Sequence, residues 1–317
     1  MMCSRKLLLL LTLFILSLTF TPWGAAPLTV MFSAFSWATE PAKNPGASPG
    51  GEGRPAPAPA VASRQAIVVK TADWLSLRGT MQRYERSLRQ DKWRPVGRAV
   101  PVSVGRNGLG WGMGLHPEGA ATSFSARKEA SKRLTDNESA PMAGKGHRWG
   151  SENGKANDRA PVKREGDGRA PAGIFSLSGA FGYAPVEECR WIKMPYQEAT
   201  PSLRCIDDVT SRYYNRLVHI DNVEDDWSSC EEMHRPDQQY RLGVIVDHNA
   251  VPPIPGRGSC IFIHIWQGPD RGTAGCTAMS PENMEMILRW LDPAAFPVLI
   301  QLPETTYRRL RSTWKLP

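Results

Sequence analysis

The feature that most limits how this chain can fold is the length of its apolar strings. Downstream of residue 64 they are short, and most are rich in β-branched residues and cut by Gly or Pro: AIVVK, MQRYER, PVGRAVPVSVG, AGIFSLSGAFGYAP, RLGVIVD, SCIFIHIW and PVLIQLP. Such strings have the length and punctuation of strands and lack the recurrence of apolar positions that marks a helix. One stretch differs. Ser280 can cap a helix, Pro281 suits its first turn, and Met284, Ile287, Leu288 and Leu291 form one apolar face before Asp292-Pro293 ends it. The expected fold is mainly β, a curled sheet or small barrel with one or two helices packed against it. The glycines of GRNGLGWG (Gly105 to Gly112) read as a turn between strands, since no βαβ context surrounds them to make a phosphate site.

Large parts of the 317 residues cannot join that core. From Leu7 to Thr39 there is no charged residue, and Arg5 and Lys6 stand just before the run, which together give the basic flank and apolar stretch of an export signal. Pro22, Gly24 and Pro27 interrupt its second half and favour cleavage behind Ser36 and Ala38 over a straight spanning helix. The run is nevertheless long enough to serve as an N-terminal membrane anchor. Residues 1–38 are therefore read as a signal peptide or anchor and 39–63 as a disordered Pro/Ala/Gly-rich linker. Residues 64–317 are read as one folded domain carrying a long polar insertion at about 117–160. The net charge of +8 suits work beside an anionic surface such as a cell-wall polymer or phospholipid headgroups. Export, and the dispersal of the basic residues among acids, argue against a nucleic-acid partner.

Five cysteines follow the leader: Cys189, Cys205, Cys230, Cys260 and Cys276. In an oxidising compartment an odd number leaves at least one thiol outside the intrachain bridges. The expected pairs are Cys205 with Cys260 and Cys189 with Cys230, which frees Cys276, although the sequence leaves other pairings open. In SCIFIHIWQGPDRGTAGCTAMSPEN a strand delivers His264, a Gly-containing loop follows, and Cys276 sits in a tight Ala-Gly-Cys turn shortly before the helix. Gly275 permits close backbone approach, and unpaired amides at such a turn can hold the oxyanion of a tetrahedral intermediate. The helix starts about one turn past Cys276, so its dipole adds little there, and thiolate formation is expected to come mainly from His264. Blander readings compete. His264 could be a satisfied core residue and Cys276 a disulfide partner, and His248, His264, Cys260 and Cys276 could form a zinc site, though no short-spaced ligand pair is present. His248 reads as the end of a strand entering a turn, and Asp207 and Asp208 as turn or helix-start residues.

His264 followed by Thr273-Ala274-Gly275-Cys276 resembles the signature of YkuD-like L,D-transpeptidases, a histidine on a strand and then a Ser/Thr-x-Gly-Cys-x-Arg turn. Upstream, KREGDGRAPAGIF (Lys163 to Phe175) is similar to that family's Lys-x-Gly-Asp-x-x-Thr-Pro-x-Gly-x-Phe segment, through Gly166 or Gly168, Asp167, Pro171, Gly173 and Phe175. Three positions depart from the pattern: Ala278 replaces the arginine after the cysteine, Ile265 a glycine after the histidine, and Ala274 a histidine before Gly-Cys. The resemblance implies a β-barrel-like catalytic domain and a ping-pong acyl transfer on peptidoglycan stem peptides, with no cofactor. Cys276 would attack the carbonyl of the third-position diamino acid and release D-alanine, His264 would act as base and then acid, and the carbonyl of Ile265 would orient His264. The oxyanion would lie near the amides of Gly275 and Cys276, and Thr273 would belong to the substrate-binding turn. With Ala278 in place of arginine, another cation must take that role; Arg271 is nearest in sequence, with Lys163, Arg164 and Arg169 as competitors. An amine acceptor would give a cross-link and water a carboxypeptidase. A papain-like envelope peptidase is disfavoured by the order of His264 and Cys276, and a wall-binding module without catalysis is the third alternative.

Overall fold

The computed structural model describes residues 62–87, 92–116 and 160–317. The leader expected from the sequence, the linker through residue 61 and the insertion through residue 159 lie outside the described residues. In chain order the strands are β1 (Gln65–Thr71), β2 (Arg78–Glu85), β3 (Arg94–Ser103), β4 (Leu109–Trp111), β5 (Ala170–Gly182), β6 (Tyr196–Glu198) and β7 (Leu203–Ile206). They continue with β8 (Leu217–His219), β9 (Cys230–Glu232), β10 (Leu242–Val246), β11 (Phe262–Ile265), β12 (Thr277–Met279) and β13 (Val298–Pro303). Two α-helices, α1 (Pro281–Trp290) and α2 (Glu304–Leu310), flank β13 in sequence. The mainly β fold expected from the sequence is the one observed.

Eight strands close into a barrel-like ring in the order β10, β11, β12, β3, β2, β1, β13, β5, with β5 returning to β10. Closure depends on the length of β5. Its first residues pair with β4, its middle with β13 and its end with β10 and β6, so one strand turns the corner between neighbours. A register shift at Ile245/Val246 in β10 supplies local bending of the kind that curls a sheet. Leu109–Trp111, within the segment read as a turn, is the short strand β4; the turn itself is confined to the residues just before it. Strands β1 and β13 run parallel and are buried along nearly their whole length, because α2 contacts both of them. Parallel strands covered in this way read as continuous apolar runs without alternation, as IVV and VLI do.

Helix α1 begins as expected: Ser280 Oγ accepts from Asn283 N at 3.3 Å, and Pro281 occupies the first turn. Its Met284, Ile287 and Leu288, together with Leu291 at its end, are fully buried. Each such side chain contributes about 1.5–3 kcal/mol by leaving water. Gln65 at the start of β1 fastens the far end of the helix, donating to Trp290 O at 2.9 Å and accepting from Asp292 N at 2.8 Å.

A second, smaller sheet, in the order β8, β7, β9, lies on one side of the ring. The Cys205–Cys260 disulfide, with a Cα–Cα distance of 5.9 Å, ties its central strand to the segment leading into β11. Between sheet and ring lies a distinct apolar cluster of Phe181, Ala199, Leu203, Cys205, Met233, Tyr240, Cys260, Phe262 and Cys276. The second expected bridge is not formed. Cys189 is a buried free thiol and Cys230 is disulfide-bonded, but not to Cys189. The two belong to different packing units, Cys189 ending a 3₁₀ turn against the main core and Cys230 opening β9.

Candidate active site

Parallel pairing of β11 with β12 sets Ile263 beside Thr277 and His264 beside Ala278. Cys276, one residue before β12, is thereby brought next to Phe262. The Phe262 amide donates to Cys276 Sγ at 3.3 Å, and the thiol points at Cys260 O at 3.6 Å. His264 and Cys276 line the same cavity, of about 290 Å³, and are 4 % and 5 % exposed, so the pair is nearly sealed from solvent. His264 Nδ1 lies 2.8 Å from Ile265 O. A carbonyl only accepts, so Nδ1 carries the proton and Nε2 presents the lone pair.

Thr273 braces the turn that carries Cys276. Its hydroxyl donates to Cys276 O at 2.6 Å and accepts from Gly275 N at 3.1 Å, which fixes the Thr-Ala-Gly-Cys backbone while Thr273 also lines the cavity. Gly275 sits in a close approach: a Cβ there would lie 3.1 Å from Arg169 O and 3.3 Å from Ile261 Cδ1. That contact joins the two sequence motifs. Asp167, in the upstream motif, accepts from Lys163 Nζ at 2.7 Å, Arg164 N at 2.8 Å and Arg169 N at 2.9 Å, folding the loop against the turn of Cys276. Gly166 and Gly168 have φ of +68° and +67°, the left-handed conformation such a tight loop needs.

Burial governs the charge state. Removal from water, followed by the neighbouring Glu231 carboxylate, pushes the Cys276 thiol up to about 12, against the Phe262 amide, Lys163 and Tyr240, which favour the thiolate. Desolvation pushes His264 down to about 4, despite the Ile265 carbonyl. The resting pair is therefore neutral thiol and neutral imidazole. Desolvation disfavours the charged form of each group, which runs against the expectation that His264 holds Cys276 as a thiolate.

The cations fall differently from their order in sequence. Arg271 is exposed and does not line the cavity, whereas Lys163, 3 % exposed, does. Lys163 Cε lies 3.8 Å from the position a Gly275 Cβ would occupy. Ala278, where the pattern has arginine, is fully buried in the ring between His264 and Ser103. His248 is a satisfied core residue: its Nδ1 accepts from Met113 N at 3.2 Å and its Nε2 reaches Arg257 O at 3.0 Å. The zinc reading loses Cys260 to the bridge with Cys205. Asp208 serves the turn, binding Thr210 and Ser228 through backbone and hydroxyl, while Asp207 lines the cavity.

Sequence reasoning missed the opposite wall. Tyr240, Glu231, Arg235 and Glu165 line the cavity beside Cys276 and His264. The Tyr240 ring stands edge-on to the His264 ring at 5.1 Å, and its hydroxyl donates to Glu231 Oε2 at 2.6 Å. Glu231 comes from a three-residue strand in the small sheet, too short to leave a periodic signal.

A family model for YkuD, the L,D-transpeptidase catalytic domain, matches residues 67–300. No curated protein and no solved structure matches the chain significantly.

Proposed function

Because the chain belongs to the YkuD family of L,D-transpeptidase catalytic domains, we propose that it performs cysteine-dependent acyl transfer on peptidoglycan stem peptides in the cell envelope. The observation that carries this reading is the shared cavity of Cys276 and His264, with Nδ1 of the histidine committed to Ile265 O and Nε2 left as the base. Substrate binding brings the scissile carbonyl to Sγ, and Cys276 gives its proton to His264 Nε2 as the C–S bond forms. A neutral resting pair protects the thiol until that moment. The tetrahedral oxyanion is held at the turn, with the Cys276 amide as first donor because the Gly275 amide is shared with Thr273. Collapse of the intermediate expels D-alanine, protonated by His264, and leaves a thioester that an amine resolves into a cross-link.

Water in place of the amine makes the same site an L,D-carboxypeptidase. The cavity carries three carboxylates, Glu165, Asp207 and Glu231, against two cations, Lys163 and Arg235, a balance that favours an ammonium-bearing acceptor over water. No helix of the described residues is long and apolar enough to cross a membrane, and the expected N-terminal anchor lies outside them. The test is incubation of purified sacculi with the wild-type protein and with Cys276→Ala, followed by muropeptide analysis. New cross-links with the wild type alone support transpeptidation, tripeptides without cross-links mean hydrolysis, and no change with either leaves a wall-binding role.

A further inference from the structure

The geometry of the far wall points to a second base, and we infer that Glu231 removes the first proton from the ammonium of the acceptor, with Tyr240 as the residue that positions it. This rests on the acyl-transfer reading of Cys276. An amine attacks a thioester only as the free base, so an acceptor that arrives as R–NH₃⁺ must lose one proton before attack and another after it. His264 can take only one of them, because Nδ1 is already protonated and bound to Ile265 O. The other needs a base within the same cavity.

Glu231 meets that need by position. It lines the cavity with Cys276 and His264, and its Oε2 is held by the Tyr240 hydroxyl at 2.6 Å, which leaves its other oxygen for a second partner. Tyr240 is itself fixed edge-on to the His264 ring at 5.1 Å and to Phe262 at 5.7 Å, so the carboxylate is tied to the catalytic histidine through one rigid ring. The remaining carboxylates on the cavity also use one oxygen each, Glu165 Oε2 for the Tyr214 and Ser259 hydroxyls and Asp207 Oδ1 for Ser229, but their partners do not stand against the His264 ring as Tyr240 does. Arg235 is paired with Asp237 at 2.5 Å, and Lys163 with Asp167 at 2.7 Å, so neither cation neutralises Glu231 by direct contact. Burial, with the charges of Asp207 and Glu165, pushes the Glu231 carboxyl up to about 7, against the Tyr240 hydrogen bond and Arg235. A carboxyl at that value is about half ionised at neutral pH and is a stronger base than an ordinary carboxylate, which suits it to take a proton from an ammonium ion aligned for attack.

R–NH₃⁺ gives one proton to Glu231, and the freed lone pair attacks the thioester carbon. The C–S bond breaks with its electron pair going to sulfur, and the second proton leaves nitrogen for His264 Nε2 and passes to Cys276. The products are the amide, the Cys276 thiol and a protonated Glu231 that returns its proton to solvent.

The test measures how the acyl-enzyme, loaded with a stem tetrapeptide, partitions between water and an amine. A second stem peptide, cationic at the assay pH, is compared with hydroxylamine, which is largely neutral there. Because the readout is a ratio of products from one thioester, changes in acylation rate divide out. Glu231→Gln is expected to lower partitioning to the peptide amine by about 10²-fold, the scale of one general base, while partitioning to hydroxylamine stays close to that of the wild type. An equal loss with both amines, or no loss with the peptide, overturns the inference. If Glu231→Gln does not fold, Tyr240→Phe decides. Removing the hydrogen bond that favours the carboxylate raises its pKa, so the rise of amine transfer with pH must move to higher pH, and an unmoved profile refutes the role. A wild-type protein that forms no thioester on Cys276 would instead remove the acyl-transfer reading itself.

Discussion

The Cys205–Cys260 bridge clamps the small sheet, and with it Glu231, against the ring that carries His264. Replacing both cysteines by alanine tests that arrangement; serine would leave a buried hydroxyl unpaired and confuse the result. The two residues lie 55 apart. Closing a loop of that size in the unfolded chain corresponds to about 4 kcal/mol at 25 °C in the chain-entropy treatment. The loop holds β7 to β10 but not the β1 and β13 core, so the loss should appear first as local opening of the small sheet. Cys260 also presents its carbonyl to the Cys276 thiol at 3.6 Å, and of the bridge and the Asn215 Oδ1 bond at 2.9 Å that hold this residue only the second remains in the variant. Urea unfolding monitored with hydrogen exchange should show lower stability and faster exchange in 203–232 than in β1 and β13, with reduced acyl transfer. Unchanged stability, or exchange that rises equally in both regions, would refute the view of the bridge as a clamp on the cavity wall.

Gly275→Ala should keep the barrel intact but displace the turn by a few tenths of an ångström, because its Cβ would press on Arg169 O at 3.1 Å; acyl transfer should fall with no comparable loss in melting temperature, and wild-type kinetics would contradict the close approach. Lys163→Met should lower kcat/KM by an amount typical of a charged hydrogen bond, roughly 1.5–3 kcal/mol, while Arg271→Ala leaves it unchanged. The reverse pattern in steady-state kinetics would assign the cationic role to the exposed loop. Alkylation of Cys276 in the resting protein should accelerate steadily as pH rises from neutrality, since the thiol sits at about 12 and its thiolate fraction grows with pH throughout that range. A rate already level at neutral pH would mean a preformed thiolate–imidazolium pair.

The barrel was legible because its central strands are short, β-branched and continuously apolar, and α1 because Ser280 and Pro281 mark its start. Strand β12 was hidden behind the Gly-Cys turn, being three residues long, and β6 to β9 carry few apolar residues in a row. The shared placement of Cys276 and His264 was legible from the Gly-Cys turn and the strand ahead of it, since it follows from one parallel pairing. Their charge states were not, because burial is a property of the whole cavity and outweighs the local pairing that suggested a thiolate. Arg271 and Lys163 make the same point about distance: the cation five residues from Cys276 faces solvent, while the one over a hundred residues away packs beside the turn.

Everything rests on a covalent bond at Cys276. Intact-protein mass spectrometry after brief exposure to a stem tetrapeptide measures it directly. The expected result is a mass increase equal to the tripeptide acyl group, mapped by digestion to Cys276, absent in Cys276→Ala and accompanied by free D-alanine. Release of D-alanine by the Cys276→Ala protein, or an adduct on any other residue, would contradict it.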